Sequence, residues 1–265
     1  MSSRLERVRS ALFLPASNPR AIGHARESGA DLVILDLEDS VKPEDKESAR
    51  TAAVEAVEES WPMPVAIRVN GIGTEWHSLD VDAVARSKAE FAVLPRAMSG
   101  HLVHEVAEAL EKPLMAMVET PIGVLAAGDI ASQSAALIVG TNDLRAELRV
   151  PAGKDRSAIS ASLQMILLAA RATGIPAFDG VFNDLEDAQG FAAECAEGRR
   201  LGFDGKTLIH PRQVEPCNRA FSPTEEELAG ARRLVDAFGG GAERFDGQMI
   251  ERMHVEAAQR LLDRS

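Results

Sequence analysis

LMAMVETPIGVLAAGDIASQSAALIVGTND, residues 114–143, contains two short apolar runs, LMAMV and ALIV, each followed by an acid, Glu119 and Asp143, with an Ala-rich segment between them. The pattern predicts strand, helix, strand. Strands joined by a crossover helix run parallel, so both carboxylates arrive at the edge where the strands' C-terminal ends meet solvent. Two oxygen ligands there, with no His or Cys beside them, suit a hard divalent cation, Mg²⁺ ahead of Mn²⁺. Each acid taken singly would also suit a helix N-terminus. The same placement on two neighbouring strands favours the metal.

Working outward, six more runs flank this unit: residues 11–14 (ALFL), 32–37 (LVILDL), 65–69 (VAIRV), 91–94 (FAVL), 177–181 (AFDGV) and 207–209 (TLI). Eight strands separated by helical segments close a (β/α)₈, or TIM, barrel of about 250 residues. Continuous rather than alternating apolarity fits strands covered on both faces. Helices are expected at residues 43–58, 158–173 and 185–201. The barrel is assigned to residues 1–220. Beyond it, Ser222 and Pro223 followed by acids predict an N-cap at Ser222 and a helix over 223–238. Gly239 to Gly241 break that helix, and an amphipathic helix follows over 249–262. Residues 221–265 therefore form a C-terminal helical extension, which packs on its own barrel or reaches a neighbouring subunit.

The formal net charge of −12 excludes a nucleic-acid or anionic-membrane partner, either of which needs a basic face. Two cysteines give no disulfide framework and fit a reducing, cytoplasmic location. MSSRLERVRS has no apolar stretch of the kind a signal peptide carries, and no run approaches the ~20 apolar residues that span a bilayer.

In a parallel barrel, chemistry gathers at strand ends. The second strand ends in Asp36-Leu37-Glu38-Asp39, the third carries Arg68, the fourth ends in Pro95-Arg96, and later strands add Asp179 and residues 206–210. Glu119 and Asp143 would hold Mg²⁺ with positions open for a substrate carboxylate and an adjacent oxygen. Arg68 would stabilise an enolate oxygen, or form an ion pair with the acids of DLED. Glu38 and Asp39 would hold metal-bound waters or move protons. Arg20 is a candidate for a substrate phosphate, and Lys206 for a Schiff base that the paired carboxylates make superfluous. None of the six histidines has zinc-site spacing, and neither GxGxxG nor GxxxxGK[ST] occurs.

These residues, in this order, resemble the HpcH/HpaI aldolase and citrate lyase family, in its branch of citrate lyase beta subunits and CitE-like relatives. The resemblance rests on RSALFLPASNPR (9–20), GADLVILDLEDSVKPEDKESAR (29–50), IRVN (67–70), VLP (93–95), VETPIG (118–123), GTNDL (140–144), GFDGKTLIHPRQV (202–214) and FSPTEEEL (221–228). It implies a TIM barrel, Mg²⁺, and reversible cleavage of a hydroxyacyl thioester such as citryl-, malyl- or citramalyl-CoA into an acyl thioester and a 2-oxo acid. It places the metal ligands on Glu119 and Asp143, the enolate-stabilising arginine on Arg68 and the supporting acids on Glu38 and Asp39. It also implies a homotrimer or a multiple of trimers.

The chain departs from the family pattern at several points. LPAS stands in place of a Pro-Gly loop, His24 in place of a CoA-phosphate lysine, and Arg96 in place of the lysine of VLPK. DGQMIE puts Glu251 where an aspartate reaches a neighbouring active site as acid or base. Two other readings stay open: a metal-dependent aldolase acting on free pyruvate or oxaloacetate without CoA, and a partner-dependent subunit of a citrate lyase complex.

Overall fold

The computed structural model describes residues 2–151 and 153–263, which fall into two compact units, Met1–Ala220 and Phe221–Ser265. In the first unit eight strands form a closed parallel barrel: β1 Ser10–Pro15, β2 Leu32–Asp36, β3 Val65–Arg68, β4 Phe91–Leu94, β5 Leu114–Val118, β6 Ala136–Val139, β7 Ala177–Asp179 and β8 Gly205–Leu208. Helices alternate with the strands, and this is the expected TIM barrel. β2 to β6 and β8 are buried along their whole length, as continuous apolar runs require.

Alternate residues of each strand point inward. Ala11, Leu32, Ile34, Ala66, Phe91 and Val93 belong to one buried cluster inside the barrel. Met115, Met117, Ala136, Ile138 and Phe178 continue it, and Leu5 and Val8, from the segment preceding β1, close its lower end. The packed interior leaves only the opposite rim, at the strands' C-terminal ends, for a cavity.

Helix ends follow local chemistry. The expected 43–58 helix begins as a 3₁₀ turn, Pro43–Asp45, before Lys46–Glu58. The 158–173 helix likewise begins as Ser157–Ile159 before Ser160–Thr173. The 185–201 helix starts only at Ala188, because the Asp187 side chain caps it by accepting from Gly190 N. Between β5 and β6 the helical segment is two pieces, Pro121–Leu125 and Ala127–Ser132.

In the second unit the helix is Glu225–Ala237 and its N-cap is Thr224, correcting Ser222. Thr224 and Glu227 form a reciprocal capping box that satisfies two backbone donors at once, so the helix begins after them. The segment after Gly241 holds a hairpin the periodicity did not predict, β9 Glu243–Phe245 paired antiparallel with β10 Gln248–Ile250. Asp246 and Gly247 both take positive φ, 46° and 82°, as a two-residue type I′ turn demands. The last helix consequently runs over Arg252–Asp263 rather than 249–262. No helix among the described residues is long and apolar enough to cross a membrane.

Candidate active site

The inward parity that fills the barrel continues one step upward into the mouth. Ile34 is followed two residues on by Asp36, Ala66 by Arg68, Met117 by Glu119 and Ile138 by Gly140. The register pairs Asp36 directly with Arg68 across β2 and β3. A cavity of about 350 Å³ opens there, and Asp36, Asp39, Arg68, Glu119, Gly140 and Asp143 line it.

Arg68 is fixed on every side. Its Nε donates to Asp36 Oδ1 at 2.6 Å and Nη2 to Asp36 Oδ2 at 2.7 Å. Its guanidinium lies over the Phe13 ring, 4.9 Å from the centroid, and Nη1 approaches Met117 Sδ at 3.7 Å. Asp36 in turn accepts from the backbone N–H groups of Glu38 and Ser40 at 2.8 and 3.0 Å. Burial alone would raise the Asp36 pKa, but Arg68 and these donors hold it below the ordinary carboxylate range. Asp36 is thus the ion-pair partner of Arg68, and both of its oxygens are spent. Sequence reading left an ion pair between Arg68 and the acids of DLED open without choosing among them, and the structure gives it to Asp36; the signal was strand parity, which puts Asp36 on the same face as Arg68.

Glu38 lies behind Arg68, its Oε2 2.8 Å from Nη1 but making no hydrogen bond. Burial pushes its carboxyl up to about 8, and the acids Asp39, Glu119 and Asp36 add to the rise. Arg68 opposes this, yet its charge is already met by Asp36. Asp39 is more exposed, and its Oδ2 is 3.8 Å from Arg68 Nη1. Lys46 pins this loop by donating from Nζ to the carbonyls of Leu37 and Glu38 and to Asn70 Oδ1 at 2.7 to 2.8 Å.

Glu119 follows β5 and is 3 % exposed. It does not cap the next helix, because the Thr120 side chain does, accepting from Gly123 N at 3.0 Å. Glu119 Oε1 instead accepts the backbone N–H of Arg96 at 2.6 Å, and Arg96 takes positive φ, 50°, at that point. Burial pushes Glu119 up to about 7, opposed by the Arg96 amide and aided by the nearby Asp143. Asp143 lies in the first turn of the helix Thr141–Glu147, four residues past β6 rather than at its end. Its pKa is also raised, by burial first and then by Asp39. The Arg96 guanidinium pairs with Glu147 and lies 3.9 Å from Asp143.

These residues fit a hard divalent cation. The donors are oxygens only, and burial first, with neighbouring carboxylates adding to it, raises both Glu119 and Asp143, which marks a site short of positive charge. A Cβ at Gly140 would overlap Glu119 Oε2, so only glycine there leaves room for that carboxylate. No group of three or more His, Cys, Asp or Glu side chains is poised for a metal among the described residues. A Mg²⁺ site built from one or two carboxylates, with water and substrate completing the shell, needs none.

Other predicted residues fall elsewhere. Asp179 and Lys206 have the opposite strand parity and point into the helix layer, where both are 0 % exposed. There Lys206 Nζ pairs with Asp179 at 3.2 Å and Glu194 at 2.6 Å, and Arg156 forks onto Asp179 at 2.7 and 2.9 Å. Lys206 is therefore a structural cation, and Schiff-base chemistry has no access to it. Arg20 lies exposed on the helix Pro19–Ala25 and does not line the cavity. Glu251 belongs to the second unit, where it is exposed and its backbone N–H donates to His254 Nδ1 at 3.0 Å.

Comparison with known proteins adds the following. The model of the family described as HpcH/HpaI aldolase/citrate lyase matches residues 9–211. The chain is 40% identical over 273 residues to a (3S)-malyl-CoA thioesterase of Cereibacter sphaeroides (strain ATCC 17025 / ATH 2.4.3), covering 99% of this chain and 96% of that one. It is 33% identical to the citrate lyase subunit beta of Leuconostoc mesenteroides subsp. cremoris, covering 96% and 92%. The crystal structure of CitE from Mycobacterium tuberculosis in complex with magnesium, acetoacetate and coenzyme A superposes with a TM-score of 0.85 at 33% identity, over 98% of this chain and 99% of that one.

Proposed function

The chain belongs to the HpcH/HpaI aldolase/citrate lyase family, and from that premise we propose that it is a Mg²⁺-dependent carbon–carbon lyase. Its substrate is a 3-hydroxyacyl thioester of the malyl-, citramalyl- or citryl-CoA kind, cleaved to, or formed from, an acyl thioester and a 2-oxo acid. The observation carrying this reading is the convergence of Arg68, Glu119 and Asp143 on one cavity at the barrel's C-terminal rim.

Glu119 and Asp143 would hold the ion, which when bound supplies Lewis acidity and a template for a carboxylate and its neighbouring oxygen. Asp36 occupies the Nε edge of Arg68, leaving the terminal N–H groups of Nη1 and Nη2 to face a substrate oxygen. In cleavage the bond between C2 and C3 of the hydroxyacyl thioester breaks, and its electron pair moves onto the thioester oxygen, where the Arg68 guanidinium stabilises the enolate. The 3-hydroxyl loses its proton to a carboxylate on the cavity wall, which we assign to Asp39. Protonation of the enolate carbon completes the step, and Glu38, behind Arg68 and outside the cavity lining, supports the guanidinium rather than touching substrate. Glu251 is assigned as the acid or base that a neighbouring subunit supplies. That assignment goes with a cytoplasmic homotrimer or multiple of trimers, for which the exposed Ile122, Leu125 and Leu168 offer apolar surface.

The test is incubation of the purified chain with malyl-CoA, citramalyl-CoA and citryl-CoA, with and without Mg²⁺. Acyl-CoA is read by chromatography and the 2-oxo acid as its hydrazone. Both products should appear together, require Mg²⁺, and vanish in Arg68→Lys. Products from the chain alone would exclude dependence on partner subunits, and aldol addition of free pyruvate with no thioester cleavage would sink the reading. The 40% identity to a malyl-CoA thioesterase supports a second reading, hydrolysis of the thioester itself. Release of free CoA without a 2-oxo acid would identify it.

A further inference from the structure

A chain of polar side chains, none of which lines the cavity, converges on the loop that follows β2. Lys46, at the start of the helix Lys46–Glu58, is 6 % exposed, and its three Nζ protons go to three neutral oxygens, the carbonyls of Leu37 and Glu38 and Asn70 Oδ1. The ammonium also lies over the Trp76 ring, 5.0 Å from its centroid. Asn70 donates from Nδ2 to the Leu37 carbonyl at 2.9 Å and to Asp80 Oδ2 at 2.6 Å. Asp80, fully buried, accepts the backbone N–H of Asn70 on the same oxygen and Arg50 Nε on the other, at 2.9 and 2.7 Å.

The loop is thereby held by its donors and its acceptors together. The N–H groups of Glu38 and Ser40 donate to Asp36, while the carbonyls of Leu37 and Glu38 accept from Lys46 and Asn70. Asp39 stands between these anchors and lines the cavity. Its carboxylate comes only within 3.8 Å of Arg68 Nη1 and makes no hydrogen bond among the described residues, so the backbone on either side sets its place. A buried cation that serves the fold alone finds a carboxylate, as Lys206 does in Asp179 and Glu194. Lys46 instead spends a buried charge on two carbonyls of one loop and on the amide that holds the same loop.

We infer that Lys46, with Asn70 beside it, is a positioning residue for the reaction: it fixes residues 37–40 so that the Asp39 carboxylate meets the proton of the substrate's 3-hydroxyl. The inference rests on the lyase reading above and on Asp39 as its base. Lys46 acts through Asp39 and through no other group of the site. Arg68 is gripped by Asp36, and Glu119 by the Arg96 amide, neither of which Lys46 touches. Loss of Lys46 therefore leaves substrate binding in place and misplaces the base, and a displacement of about 1 Å at a reacting group costs about 100-fold in rate.

The experiment is a double-mutant cycle on the full chain at saturating Mg²⁺, with kcat and KM measured on whichever of malyl-, citramalyl- and citryl-CoA the wild type cleaves fastest. Lys46→Met should lower kcat about 100-fold and leave KM within about threefold. In an Asp39→Asn background the same substitution should lower kcat by less than about threefold, because no base is left to misplace. Asn70→Ala keeps the ammonium and removes one of its acceptors; it should lower kcat about tenfold with the same dependence on Asp39, and it carries the test if Lys46→Met does not fold. A kcat unchanged in these variants, a loss of equal size with and without Asp39, or a rise in KM that accounts for the whole effect would each overturn the inference. So would an Asp39→Asn enzyme as active as the wild type, which leaves the lyase reading standing. A wild-type chain that cleaves none of the three thioesters with Mg²⁺ removes the lyase reading, and the role of Lys46 with it.

Discussion

Asp36→Asn removes a charge and leaves the volume unchanged, so it isolates what holds Arg68. The native pair has two charge-assisted hydrogen bonds, at 2.6 and 2.7 Å, between groups that are 1 % and 8 % exposed. A hydrogen bond to a charged group contributes about 1.5–3 kcal/mol, and breaking one side of a buried pair costs about 3–5 kcal/mol. Asparagine keeps one acceptor, and Glu38 stands 2.8 Å from Nη1 as a reserve anion, so we expect about 3 kcal/mol lost near neutrality. That should lower Tm by about 6 °C or more, read by calorimetry. The penalty should persist down to strongly acidic pH, because the native Asp36 pKa lies below the ordinary range and its contribution disappears only as pH falls through that value. Freed from its fork, the guanidinium should drift, and kcat/KM for thioester cleavage should fall about 100-fold or more. Glu38→Gln is the control. Burial keeps Glu38 protonated near neutrality, so the amide should change stability by less than about 1 kcal/mol. Equal effects of the two substitutions on Tm would refute the claim that Asp36, and not Glu38, neutralises Arg68.

Glu119→Gln and Asp143→Asn should each abolish Mg²⁺-dependent binding of 2-oxo acids while the circular dichroism spectrum stays native; calorimetric binding with wild-type metal dependence would remove both from the site. Glu38 has a folded-state pKa of about 8, above its unfolded value, so the metal-free protein binds more protons folded than unfolded between those values. Stability should accordingly fall as pH rises from about 5 to about 8, and Glu38→Gln should flatten that slope in chemical denaturation. Lys206→Met should destabilise by about 3 kcal/mol, because it removes the near cation of Glu194 and leaves buried Asp179 to Arg156 alone. Borohydride reduction of the wild-type enzyme with pyruvate should add no mass, since Lys206 forms no imine.

The residues alone determined the barrel, because eight apolar runs with helical spacing between them admit few other parallel closures, and strand ends are where a barrel's chemistry must gather. They also singled out Glu119, Asp143 and Arg68 as candidates, and the structure brings the three to one cavity. What the tertiary structure alone decided is which strand-end groups meet. A one-residue change of parity sends Asp36 and Arg68 into the mouth but Asp179 and Lys206 into the helix layer, and the edges of short apolar runs are too indistinct to fix that parity in advance. The Asp246-Gly247 hairpin, the Thr224 cap and the amide of Arg96 on Glu119 were likewise invisible to periodicity, being set by single φ values and single hydrogen bonds. Apolar patterning is a sum over many residues and survives reading from sequence, whereas the direction of one side chain depends on backbone geometry that only the assembled barrel supplies.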